Sequence, residues 1–248
     1  MKYLFFTIML TIPAILNSQN LTAEEIIRKS EENMRGGTSY AEMKMTIVRP
    51  TWTRETHMKS WAKDQDLALI LVTAPARDQG IAYLKRNNDI WNWQPRIERT
   101  IKLPPSMMSQ SWMGSDFTND DLVRESSITD DYKQSLLGRE MVGDIEAYKL
   151  ELIPHEDAAV VWGKLIMWIS VDHFMQVKTE FYDEDGFLIN TMTASDFTTF
   201  DGRHIPARMT IVPEDKPGHK TIVEYVNLEF DIPIPDQVFT IQHMKNLP

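Results

Sequence analysis

After Leu21 the spacing of apolar residues changes period once. Ala23, Ile26, Ile27, Ser30 and Met34 recur every three or four positions, which places them on one side of a helix. Thr22 and Glu25 stand where each side chain can take the other's main-chain N–H. Glu24 and Glu25 lie near the positive end of the helix and Arg35 near the negative end. Gly36-Gly37 then stops it. The pattern predicts a helix over 22–35. From Ala41 the period is two: Ala41, Met43, Met45 and Ile47 alternate with Glu42, Lys44 and Thr46, the mark of a half-buried strand. Further strands are expected over 54–62, 66–73, 80–86, 89–94, 97–103, 146–153, 162–171, 174–182, 187–199, 204–212 and 220–230. Asn87-Asn88, Asp185-Gly186 and Asp201-Gly202 supply turns between them. About a dozen antiparallel strands in one piece imply a barrel, a half-barrel or a large curved sheet.

Two strands are apolar on both faces. Leu165, Met167, Ile169 and Val171 oppose Ile166 and Trp168, and Leu67, Leu69 and Leu71 oppose Ala68, Ile70 and Val72. Such strands must be covered twice, by core on one side and by a helix or a ligand on the other. Trp91 and Trp93 share one face of a shorter strand. Pro104-Pro105 ends the alternation, and 105–125 has no strand period. Thr118 or Asn119 could cap a short helix there. The same segment carries Met107, Met108, Trp112, Met113 and Phe117. These residues either close the core of a large sheet or form an adaptable wall around an apolar ligand, a role suited to unbranched, polarizable Met. A curved sheet with a helix on its concave side favours a cavity between the two.

The start of the chain reads as an address. Lys2, an apolar run from Tyr3 to Leu16, and polar residues to Asn20 make a secretory signal over 1–18, ending near Ser18. The run is short of the ~20 residues of a membrane span. Export to a bacterial periplasm and one domain over 19–248 are expected.

Composition narrows the chemistry. Of 248 residues, 36 are Asp or Glu and 26 Lys or Arg, a formal charge of −10, so a broad nucleic-acid-binding face is excluded. With no cysteine, there is no disulfide, thiolate metal site or cysteine nucleophile. Glycine-rich phosphate loops, H-E-x-x-H and G-x-S-x-G are absent. His173 and His204 stand near hairpin ends, where solvation is the simpler reading than a catalytic or metal role. Asp183, Glu184 and Asp185 before Gly186 suit a turn better than a calcium loop. Glu98, Asp116 and Asp120 offer carboxylates without a partner at fixed spacing.

Several segments resemble the outer-membrane lipoprotein-sorting family, the LolA-like proteins. They are Leu21-Thr22-Ala23-Glu24-Glu25-Ile26; Ala74-Pro75-Ala76-Arg77 with Gly80-Ile81-Ala82-Tyr83-Leu84-Lys85; and Asp89-Ile90-Trp91-Asn92-Trp93-Gln94-Pro95 with Arg96 and Arg99. The most specific runs from Gln110 through Trp112, Asp116 and Phe117 to Leu122. The resemblance implies a mainly β (α+β) fold: an incomplete antiparallel β-barrel of about eleven strands, with helices covering the concave side. It implies a cofactor-free carrier that takes acyl chains of lipoproteins or lipids into a hydrophobic cavity. An inner-membrane transporter and an outer-membrane acceptor would be its partners, and the chain itself a monomer. Candidate cavity residues are Met43, Met45, Leu69, Leu71, Trp91 and Trp93. Met107, Met108, Trp112, Met113, Phe117, Met167 and Trp168 complete the set. Arg77 would latch the lid. The competing readings are a cofactor-free enzyme on the same scaffold, using Arg77, Arg96, Glu98 or His57, and a lipid or lipoprotein sensor working with a membrane transporter.

Overall fold

The computed structural model describes residues 21–87, 89–123, 128–158 and 160–247. The expected signal over 1–18 lies outside them. The predicted helix is α1, Ala23–Arg35. Its capping box is in place: Thr22 N donates to Glu25 Oε2 at 2.8 Å and Glu25 N to Thr22 Oγ1 at 3.2 Å. The N–H of Thr22 holds the Glu25 carboxyl below its ordinary value.

Thirteen described strands form one antiparallel sheet, two more than the resemblance implies. In chain order they are β1 (Thr38–Arg49), β2 (Trp52–Lys63), β3 (Leu67–Ala74), β4 (Ala82–Arg86), β5 (Asp89–Gln94), β6 (Arg99–Lys102), β7 (Tyr132–Val142), β8 (Ile145–Pro154), β9 (Lys164–Ser170), β10 (Gln176–Tyr182), β11 (Leu188–Phe200), β12 (Arg203–Pro213) and β13 (Lys220–Phe230). Across the sheet they run from β6 back to β1, then from β13 back to β7. Ser39 opposite Phe230 and Val48 opposite Lys220 fix the central β1–β13 register. The edges β6 and β7 do not pair, so the sheet is a half-barrel. β7 is absent from the predicted strands because it is an edge: of its residues only Tyr132 is buried, and no alternation records a core face.

The concave face carries the main core. Met45, Ile47, Met58, Ile70, Val72, Leu150, Leu165, Met167 and Ile169 meet Ile26 and Ile27 of α1 there, and Trp112 and Phe117 of the segment between β6 and β7. That segment holds α2 (Asn119–Val123) and α3 (Ile128–Asp131). Thr118 is its cap, accepting from Asp121 N at 3.1 Å.

The convex face is covered differently at its two ends. Beneath the C-terminal residues, Leu69, Leu71, Ala82 and Leu84 pack with Ile234, with Phe239, with Met244 from the closing helix α4 (Ile241–Lys245), and with half-buried Trp91 and Trp93. This is the second cover that the doubly apolar β3 required. On β9, Ile166 and Trp168 pack with Ala147, Met175 and Val177. The Trp168 ring lies between Lys149 and Lys178, whose ammonium groups stand 4.9 and 4.4 Å from its centre. Lysine stems supply the apolar cover and keep the charges in water. Gly163 opens β9 because a Cβ there would stand 2.5 Å from the Asp183 carbonyl.

Candidate ligand cavity

Between α1, α2, α3 and the concave face lies a cavity of about 280 Å³. Its floor is built from residues whose strand alternation turns them inward: Ala41 and Met43 of β1, Ala62 of β2, Ala68 and Ile70 of β3. Leu165, Met167, Phe181, Met192, Met209 and Val223 form the opposite wall, and Ile27, Phe117 and Ile128 the roof. Ala62 and Ala68 are cross-strand partners, and two small side chains at facing positions leave the room that larger ones would fill.

The charged lining lies on the helical side: Glu31 and Arg35 of α1, Asp120 and Asp121 of α2, Asp131 of α3. Asp121 is fixed there by two donors, Trp162 Nε1 to Oδ1 and Thr118 N to Oδ2, each at 2.8 Å. Burial raises its pKa above the ordinary value, against the opposing pull of those hydrogen bonds. The carboxylate thus ties α2 to the β8–β9 connection across the cavity.

The roof is held at two ends. At one, Arg203 Nη2 meets Asp231 Oδ2 at 2.6 Å, and Asp231 Oδ1 accepts from Gly37 N at 3.0 Å. Asn33 Nδ2 donates to the carbonyls of His173 and His204, at 3.1 Å each. These contacts set the end of α1. At the other end, the hairpin between β1 and β2 clasps the turn Met113-Gly114. Arg49 Nη2 donates to Gly114 O at 2.9 Å and Arg49 Nη1 to Asp116 Oδ2 at 2.9 Å, while Arg54 donates to Met113 O. The Arg49 and Asp116 side chains are only 10% and 6% exposed. Asp116 also accepts from Thr221 Oγ1 at 2.7 Å.

Of the sequence-derived candidates, Met43, Phe117 and Met167 line the cavity. Met45 and Trp112 are buried in the same concave core, and Met107, Met108 and Met113 pack against it. Leu69, Leu71, Trp91, Trp93 and Trp168 do not reach the cavity. Alternation sets each on the opposite face from its inward neighbours. Arg77 does not hold the roof: its side chain is 61% exposed and pairs with adjacent Asp78 at 3.1 Å. Arg49 and Arg54 hold it instead, and the sequence shows only two arginines flanking the Pro50-Thr51 turn. His57 pairs with Glu55 at 2.8 Å, and Arg96 and Glu98 lie in the short β5–β6 connection; none lines the cavity. The rings of His173 and His204 meet at 4.8 Å. Among the described residues no three His, Asp or Glu side chains are grouped to hold an ion. Asp183 belongs to a turn, accepting from Phe187 N at 2.8 Å.

A family model described only as that of an uncharacterized protein matches residues 64–246. No curated protein matches the chain. Solved structures that share its architecture include the following three. An outer-membrane lipoprotein-sorting protein domain from Vibrio parahaemolyticus is 23% identical, with a TM-score of 0.81 over 90% of this chain and 98% of that one. A DUF1329 family protein from Desulfovibrio piger is 22% identical, with a TM-score of 0.83 over 90% and 97%. A LolA superfamily protein from Nitrosomonas europaea is 25% identical, with a TM-score of 0.78 over 90% and 100%. The half-barrel is the LolA-like fold.

Proposed function

Since the chain belongs to the family whose model spans residues 64–246 and has the LolA-like fold, we propose that it is a periplasmic carrier of acyl chains, taken from a lipid or a lipoprotein and passed toward the outer membrane. Residues 1–18 would direct export, and 19–248 form the working domain. An inner-membrane transporter would load it, and an outer-membrane acceptor would unload it. It would work as a monomer.

The observation that carries this reading is a cavity with a mainly apolar floor and walls beneath a roof held by polar contacts. An apolar cavity of about 150 Å³ already takes benzene, and this one is nearly twice that size. Each methylene entering it gains about 0.8 kcal/mol, so a stretch of ten contributes roughly 8 kcal/mol before ordering costs. A roof tied by side chains to main-chain carbonyls can part from the sheet without breaking a strand pairing, which suits a protein that must also release its load.

Ala68→Trp tests the reading, because its side chain would fill the floor between β2 and β3. Exclusion of three methylenes costs ~2.4 kcal/mol, about 60-fold in affinity for a long-chain fluorescent acyl probe. Equal probe affinity in a folded Ala68→Trp variant would remove the cavity from the proposal.

A further inference from the structure

The hairpin that clasps the roof holds more positive charge than it uses. Arg49 is paired with Asp116, and Arg77 with Asp78. Arg54 stands between them with no ion pair among the described residues. One of its Nη atoms donates to Met113 O, and its buried Nε has no partner. Burial presses its pKa down; neighbouring Arg77 and Arg49 add to this, and the Asp78 carboxylate opposes it. Three guanidinium groups against two carboxylates leave one charge uncompensated, in a chain whose net charge is −10. A partly buried cation beside like charges is costly unless an anion completes the set.

We propose that Arg54, with Arg77 beside it, binds a phosphate-class oxyanion at the Met113-Gly114 turn. The Nη N–H groups of Arg54 that Met113 O does not use provide one arm of donors, and the exposed Arg77 fork the second. A phosphate carries between one and two negative charges at neutral pH and several strong acceptors. It matches two neighbouring guanidinium groups better than a single carboxylate does. The site is distinct from the acyl cavity. Cavity-lining Met43 and Arg49 lie six residues apart on β1, about 20 Å at ~3.3 Å per strand residue. Met45, Ile47 and Trp112 fill the core between. With that core between the two places, the phosphate belongs either to a headgroup at a membrane surface or to free phosphate. An oxyanion at Arg54 competes with Met113 O for the same guanidinium, which sets it at the fastening of the roof.

The test uses the full chain, titrated with inorganic phosphate against chloride at equal ionic strength and read by thermal unfolding. Vesicles of phosphatidylglycerol are compared in parallel with vesicles of phosphatidylcholine. Saturable stabilisation by phosphate, weakened about tenfold or more in Arg77→Gln and in Arg54→Lys, is the expected result. Binding to phosphatidylglycerol vesicles that is lost in both variants, with little response to free phosphate, also supports the site and identifies a headgroup as the source. Arg77→Gln guards against a folding artefact, since Arg77 is exposed and, among the described residues, its ion pair is with adjacent Asp78. Equal effects of phosphate and chloride with no vesicle binding, or binding unchanged in both variants, would overturn the proposal. The phosphate arm contains no acyl chain, so its outcome is independent of the carrier reading.

Discussion

Arg49→Met removes a guanidinium and keeps an apolar stem of similar length. In the folded protein it deprives Asp116 Oδ2 of its cation at 2.9 Å and Gly114 O of its donor at 2.9 Å. Thr221 Oγ1, at 2.7 Å, becomes the remaining side-chain donor to that carboxylate. With only 6% of the Asp116 side chain exposed, leaving the charge in place costs about 3–5 kcal/mol. The sheet need not bear that cost, because lifting the turn into water rehydrates the carboxylate. The penalty therefore falls on the equilibrium between seated and lifted roof, and even 3 kcal/mol raises the lifted fraction about a hundredfold. Amide hydrogen exchange reads this directly. The N–H groups of Trp112, Ser115 and Asn119, bonded to Phe117 O, Trp112 O and Gln110 O, should exchange about a hundredfold faster or more. Amides of the β8–β9 ladder should change little. Replacing both partners, Arg49→Met with Asp116→Leu, should restore much of the protection, since no unpaired charge then remains. If roof and ladder amides accelerate together, or the double variant exchanges as fast as the single one, the pair braces the whole sheet and the reasoning fails.

Two further outcomes follow from the same geometry. Burial raises the folded pKa of Asp121 above the ordinary 3.8, so the folded state keeps that proton longer than the unfolded chain does. This group's contribution to stability therefore falls as pH rises from 3.8 through the folded value. Asp121→Asn should flatten that part of a urea-denaturation pH series, and an unchanged slope would assign it to other groups. Leu71 is 4% exposed on the convex side. Leu71→Ala should cost about 2–5 kcal/mol in denaturant unfolding and leave acyl-probe affinity unchanged; a matching loss of affinity would mean the two faces are not independent.

The helix and most strands were legible because each has a single buried side. Thr22-x-x-Glu25 marks one end of α1 and Gly36-Gly37 the other. β7 lacked any such record, since an edge strand facing water has no alternating requirement. Alternation also separates the two faces of β3 and β9 without saying which face is concave. That depends on the sense of curvature and on the C-terminal residues that fold back over Leu69, Leu71, Trp91 and Trp93. The same ambiguity put Trp168 among the cavity candidates, although lysine stems cover it outside. Contacts across long sequence gaps were the least legible. The pairing of Asp121 with Trp162 and of Arg49 with Asp116 joins residues on different elements, and only the folded register brings them together.

The order of the strands gives the segment between β6 and β7 a second property. The chain enters the sheet at its middle, walks to one edge, crosses to the opposite edge and walks back to the middle. That crossing is the covalent belt between the two rims. Among the strand pairings described, the halves are joined along one seam, β1 against β13, from Ser39–Phe230 to Val48–Lys220. The roof is therefore also the girth of the vessel: its slack limits how far the rims can part. A single peptide cleavage within the belt would leave the seam paired and both halves intact, yet would release that limit. Mouth width and roof position are thus one variable in this topology, and a guest that widens one must move the other.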